Sequence, residues 1–187
     1  MDNMLTPDRL AELTGVRPVT LRDRRRQGLL QGVGMLALPN GGWTSDPEDA
    51  RLDRKSSRAG DRWHYRPGDA LCLAIASQLT DLGLDLAAAM QIAGKINVAV
   101  LGWLVGTPKW EAERGGRFLF AWPVTDTEEF RAGRIHPAAG EMEIARTGDL
   151  SIASEFVGPK AVFVDLRKMA EAIPTKLKHF LLSIYAE

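Results

Sequence analysis

The feature that most constrains the fold is a pair of short helix patterns near the amino end of the chain. Thr6 can cap a helix, Pro7 suits the first helical position because its missing N–H is not needed there, and Asp8 suits the positive first turn. These residues predict a helix over about residues 7–13. Gly15, two residues later, permits a tight turn.

A second helix is predicted over about residues 18–27, because Gly28 is a common residue just past a helix end. Helix, glycine turn and helix have the spacing of a helix-turn-helix. In such a motif the second helix is the one that enters the DNA major groove.

Four arginines crowd this second helix, at Arg22, Arg24, Arg25 and Arg26. At 100° per residue, Arg22, Arg25 and Arg26 fall within an arc of about 100°. Like charges at this spacing cost roughly 0.2 to 0.5 kcal/mol per pair, which favours an anionic partner. The alternative is a solvated surface network in which nearby acids neutralise the arginines, namely Asp8, Glu12 and Asp23.

The positive charge is local, because 24 basic and 24 acidic residues give the whole chain no net charge. One basic island comprises Arg17 and the four helix arginines against Asp23. A second lies between residues 51 and 66, with six basic and two acidic residues. Two such islands indicate a local field that attracts a polyanion.

Composition favours a soluble globular protein, with 187 residues, 45% of them apolar and 26% charged. The amino end has no signal-peptide pattern, and the apolar run over residues 96–106 is too short to cross a bilayer. We therefore expect a cytoplasmic protein without a membrane partner. Cys72 is the single cysteine and the three histidines are scattered, so neither a disulfide nor a metal site is expected, and no cofactor is indicated.

Further along the chain, "GVGMLALPNGGWTS" predicts a strand and a turn at residues 40–42, and residues 42–61 read as a mobile loop. The stretch "RWHYRP" predicts a short strand. Asp69 is predicted to cap a helix whose apolar stripe comprises Leu71, Ile75, Leu79 and Leu82. Asp85 is predicted to cap the next helix, whose inner side carries Leu86, Met90, Ala93 and Ile96.

The carboxyl part reads as a small α+β module. Strands are predicted in "RFLFAWPV", "LSIASEFV" and "AVFVDL", and helices over about residues 166–172 and 176–185, the latter capped by Thr175. The final helix places its apolar residues on one stripe that must be buried, either within the chain or against a second copy; these are Leu177, Phe180, Leu181 and Ile184.

Several short segments carry a resemblance to a known family. They are "LAELTGV", "TLR" at residues 20–22, "GLL" at 28–30, Tyr65, Asp69 and "LGLDL" at 82–86. Together they resemble the DNA-binding domain of the MerR family of bacterial transcription regulators, over about half the chain. The resemblance implies a winged helix-turn-helix in which Arg22 and its neighbours meet phosphates and base edges, while the wing at residues 63–66 lies along the adjacent backbone.

The chain departs from the family pattern in three ways. Asp23, Arg24 and Arg25 replace the usual two tyrosines and glutamate after "TLR", the wing is much longer, and the long dimer helix and metal-binding cysteines are missing. Base preference and metal sensing are therefore not carried over.

The sequence thus predicts a mainly α fold with small β. A winged helix-turn-helix domain spans residues 1–106, with a long wing insert at about 31–62, and a small α+β module for oligomerisation or an effector spans 107–187. The expected function is a sequence-specific DNA-binding transcription regulator, not an enzyme, acting as a homodimer on double-stranded DNA. The alternative is a phage-type DNA-recognition subunit of the excisionase or small terminase kind.

The predicted DNA-binding residues belong to the two basic islands and the wing strand. They are Arg17, Thr20, Arg22, Arg24, Arg25, Arg26, Arg62, His64 and Arg66. Trp63 and Tyr65, between the wing cations, suit either contact with DNA or packing. Cys72 is expected to be a small core residue.

Overall fold

A computed structural model describes residues 3–30, 32–37, 42–45, 63–110, 115–123, 142–148 and 162–186. Within these ranges the fold is mainly α, with two small three-stranded antiparallel sheets. The predicted site residue Arg62, most of the predicted mobile loop at residues 42–61 and the predicted strand "LSIASEFV" lie outside the described residues.

Two short helices form the amino-terminal unit, α1 at Pro7–Thr14 and α2 at Pro18–Arg26. The Thr6 hydroxyl accepts a hydrogen bond from the Arg9 N–H at 3.2 Å. Gly15 has φ of 77°, a left-handed conformation that glycine adopts without strain. Both helices and the turn between them are confirmed, with ends that differ by one residue from those predicted.

The first sheet has the strand order β2-β1-β3 and follows α2. Its strands are β1 at Met35–Ala37, β2 at Trp43–Thr44 and β3 at Trp63–His64. Strand β2 corrects the prediction of a mobile loop at this point, because its backbone pairs with β1. Leu36 of β1 pairs with Thr44 on one side and Trp63 on the other. Tyr65 extends this sheet by a bridge to Leu5 and is buried, as expected of a packing residue.

The next helix, α3 at Pro67–Asp81, corrects the prediction that Asp69 is its cap. The cap position is Arg66, because Pro67 occupies the first helical position, and Asp69 lies in the first turn. Its Oδ2 accepts a hydrogen bond from the Arg66 backbone N–H at 2.8 Å. Leu82 is also misplaced in the predicted stripe, since it follows the helix end and is 66% exposed.

The longest helix is α4 at Leu86–Val105, which Asp85 caps by accepting a hydrogen bond from the Ala88 N–H at 2.9 Å. Among the described residues it is the one helix long and apolar enough to cross a membrane, but half of that window is buried inside the protein. It packs against α3 and against the carboxyl-terminal helices. We therefore interpret α4 as the core helix of the fold.

The second sheet has the order β5-β4-β6. Its strands are β4 at Phe118–Pro123, β5 at Met142–Thr147 and β6 at Val162–Asp165. The sequence predicted β4 and β6 but not β5. Two helices follow, α5 at Leu166–Glu171 and α6 at Thr175–Tyr185. Pro174 rather than Thr175 holds the cap position of α6, which corrects the predicted cap by one residue.

One hydrophobic core joins the amino-terminal helices to the carboxyl-terminal part. Leu177 and Leu181 of α6 are fully buried, and α6 contacts α1, α3 and α4. Two of the four stripe residues, Leu177 and Leu181, are therefore covered within a single chain, whereas Phe180 and Ile184 stay partly exposed.

Candidate nucleic-acid interface

Helix α2 presents its arginines outward because one side chain anchors it to the core. Leu21 is 2% exposed and belongs to the hydrophobic cluster. Arg22 and Arg26 are exposed, and so is Arg17 at the cap position. Thr20 is partly buried. The exposed face of α2 is therefore rich in cations.

Arg25 connects α2 to the first sheet. Its guanidinium carbon lies 3.4 Å from the centroid of the Trp63 ring, a cation–π contact, and 5.9 Å from that of Tyr65. Its Nη2 donates a hydrogen bond to the Val33 carbonyl at 2.8 Å. The DNA contact predicted for Arg25 stays a prediction; in the structure its partly exposed guanidinium is held by these two contacts with the protein.

A groove of about 510 Å³ lies between α1, α2 and β3. Arg22, Arg25 and Arg26 all line it, as the helical spacing predicted. Trp63 from β3 lines it as well. The groove thus brings one face of α2 and strand β3 onto a single surface.

Arg24 differs from its neighbours because part of its side chain is buried. Its Nη1 is shielded from solvent and has no hydrogen-bond partner among the described residues. Burial lowers the pKa of Arg24 from its ordinary value. The side chain of Arg24 is therefore less accessible to solvent than those of Arg22 and Arg26.

The acids near the cluster neutralise little of it. Glu12 forms ion pairs with Arg9 and, at 3.5 Å, with Lys176 of α6. Asp23 approaches Arg26 at 4.0 Å, where both side chains are more than half exposed. Exposed pairs of this kind contribute little. Asp8 lines the same groove as the arginines, but within the described ranges the Asp23 contact is the only ion pair between one of the three nearby acids and this cluster.

At the amino end of α3, Arg66 bonds to Asp69. Its Nη2 lies 2.9 Å from Asp69 Oδ1 and also donates to the Gly32 carbonyl at 3.2 Å. The hydrogen bond to Asp69 raises the pKa of Arg66. Half of the Arg66 side chain stays exposed, at 51%, whereas Asp69 is buried. His64 is partly buried, with its ring edge-to-face to Trp43 at 5.1 Å.

Sequence reasoning missed the partners that hold this surface together. The sequence is compatible with Trp63 either contacting DNA or packing, and in the structure it packs under Arg25. The Val33 and Gly32 carbonyls are backbone groups, so the side-chain types in the sequence do not predict that they accept these hydrogen bonds. The RWHYR alternation of cations and aromatics was the available signal for the Trp63 contact.

Within the described ranges, no group of three His, Cys, Asp or Glu side chains is placed to hold a metal ion. Models of known protein families and the sequences of curated proteins show no match to this chain.

Proposed function

We propose that the protein is a cytoplasmic, sequence-specific DNA-binding transcription regulator of winged helix-turn-helix type. Helix α2 would enter the major groove, and the sheet β2-β1-β3 would form the wing on the adjacent backbone. The observation that carries the proposal is the stacking of Arg25 on Trp63, because it fixes α2 against the wing strand.

The cation distribution supports this assignment. Arg17, Arg22 and Arg26 are exposed, and the nearby acid Glu12 is engaged elsewhere. Lys and Arg side chains that neutralise phosphates supply the salt-dependent part of DNA affinity. An arginine that also reaches a guanine edge reads sequence.

The engaged arginine supports the assignment as well. Base readout requires a recognition helix held in one orientation. Arg25 supplies that restraint through one aromatic ring and one carbonyl. We assign it a positioning role, and we assign the DNA contacts to Arg22, Arg26 and Arg17.

We propose a homodimer as the active form, because one small module reads few base pairs and two modules on paired half-sites read twice as many. Leu177 and Leu181 of the α6 stripe are buried within the chain, so of this stripe only the partly exposed Phe180 and Ile184 could contribute to the contact between copies.

Selection of bound fragments from a pool of random double-stranded DNA tests the proposal. The full-length protein should enrich one motif, repeated at a spacing close to a multiple of about 10 base pairs. The mass of the complex should correspond to two chains. Failure to enrich any motif would refute sequence-specific binding, and a ring of many chains would favour a terminase-type subunit.

A further inference from the structure

A second cavity, of about 630 Å³, lies between the segment that follows α2 and the helices α3 and α4. Gly32 from the turn before β1, Arg66 and Asp69 from the start of α3, and Met90 and Gly94 from α4 line it. Its volume falls in the range of small-molecule sites, roughly 300 to 1,000 Å³.

The lining selects against charged ligands. Among the residues that the structure describes, one cation and one anion line the cavity, Arg66 and Asp69, and they pair with each other at 2.9 Å. Asp69 Oδ2 also accepts a hydrogen bond from the Gly34 N–H at 3.2 Å. A net charge on the ligand would therefore lack a counter-charge, and burying it would be costly.

The remaining lining is mixed in polarity. Leu29, Val33 and Met90 give apolar surface, and Asn97 adds an amide. Arg66 keeps about half of its side chain exposed, so its guanidinium can donate to a ligand oxygen. An apolar body with a neutral acceptor suits these walls.

Gly94 is the feature that nothing within the described fold explains. It lies in the interior of α4, where glycine is less favourable than alanine by roughly 0.5 to 1 kcal/mol. A Cβ placed there meets no atom within 4 Å. Packing therefore does not require this glycine, whereas a ligand that approaches the helix backbone would.

We propose that this cavity binds an uncharged small molecule that carries a carbonyl-type acceptor on an apolar body, lying against Gly94 and accepting from Arg66. The site is an effector site for the DNA-binding surface, and this regulatory part rests on the proposed function.

The connection between the two surfaces is a short backbone segment. The Gly32 carbonyl accepts from Arg66, the Gly34 N–H donates to Asp69, and the Val33 carbonyl between them accepts from Arg25. A ligand bound to Arg66 thus lies beside the segment that positions Arg25. Its occupancy should change the Arg25 contact with Trp63.

Two-dimensional NMR of the full-length protein tests the site without DNA. The probes are benzamide and caprolactam, with benzoate and benzylamine as charged counterparts. The neutral probes should shift the amide signals of Gly28, Gly32 and Gly94, which line the cavity, together with the Arg25 Nε–H signal.

Each outcome of the titration decides a part of the proposal. Shifts in other regions would overturn the site. Equal binding of benzoate or benzylamine would overturn the ligand class. Shifts at the glycines without a change at Arg25 would overturn the effector role. Because DNA is absent, neither result depends on the proposed function.

Substitution of the glycine gives an independent test. Gly94→Leu should fill the cavity and weaken benzamide binding by about tenfold or more. Gly68→Ala is the control, because Gly68 is also helical with open space around it but does not line the cavity. Wild-type affinity in a folded Gly94→Leu protein would overturn the assignment.

Discussion

The guanidinium of Arg25 lies over the Trp63 ring, with its central carbon 3.4 Å from the ring centroid. One residue belongs to α2 and the other to β3, which are far apart in the sequence. The contact therefore fixes the orientation of the proposed recognition helix relative to the proposed wing.

Arg25→Ala should lower the free energy of unfolding by about 2 kcal/mol. It removes a cation–π contact worth about 0.5 to 2 kcal/mol and a charged hydrogen bond to the Val33 carbonyl worth about 1.5 to 3 kcal/mol. Water that solvates the groups left without these contacts offsets part of the loss. Urea unfolding measures the change. Arg22→Ala is the matched control, since Arg22 is exposed and its loss should be nearly neutral.

A double-mutant cycle of Arg25→Ala and Trp63→Ala isolates the stacking contact. A coupling energy of about 1 kcal/mol is expected from such a pair. Strictly additive effects would show that the two side chains contribute independently. That result would contradict the claim that their contact fixes the orientation of α2.

Asp69→Asn should destabilise the protein by about 2 to 4 kcal/mol. The carboxylate is buried and bonds to Arg66 and to the Gly34 N–H, and the amide cannot accept all of these bonds. Thermal unfolding compares it with Asp81→Asn, which changes an exposed acid at the end of the same helix. Equal melting temperatures for the two variants would contradict the role assigned to Asp69.

The Cys72 thiol should resist modification in the folded protein. Burial, with a smaller contribution from the Asp69 charge, raises its pKa to about 12, so at pH 8 the reactive thiolate is scarce. A disulfide reagent should react slowly at pH 8 and rapidly in concentrated urea. Fast reaction without urea would mean that the thiol is accessible.

Acid should weaken the contact between Asp165 of β6 and Arg117. Side-chain hydrogen bonds from Arg117, one of them 2.6 Å long, lower the pKa of Asp165. A lowered folded-state pKa stabilises the protein above the unfolded value of about 3.9, and this stability is lost as the pH falls through the folded value. Unfolding measured from pH 5 to pH 2 should show a smaller acid loss in Asp165→Asn than in the wild type. Identical pH profiles would exclude this contribution.

The sequence predicts the elements that depend on local chemistry. The Thr6 cap, the Gly15 turn and the Asp85 cap lie where their residue types indicate, because each acts on backbone groups within a few residues. Asp69 was misassigned as a cap since Pro67, two residues earlier, is an equally good first helical residue.

The contacts that shape the candidate interface could not be predicted in this way. Helical spacing placed Arg25 beside Arg22 and Arg26, and the groove confirms this. Its engagement with Trp63 and Val33 depends on how the sheet packs against α2, which periodicity does not report. Strand β5 was missed because "MEIART" mixes charged and apolar residues without a strict alternation.

The central claim is that the exposed arginines of α2 bind DNA, and the salt dependence of affinity tests it most directly. The binding affinity is measured for the motif selected from random DNA. The double variant Arg22→Ala with Arg26→Ala should bind more weakly, and the slope of log affinity against log salt concentration should fall by about one unit per lost phosphate contact. The melting temperature should stay nearly unchanged. The control is Arg167→Ala with Lys168→Ala, which removes two exposed charges from α5. An unchanged affinity and slope in the α2 double variant would contradict the account.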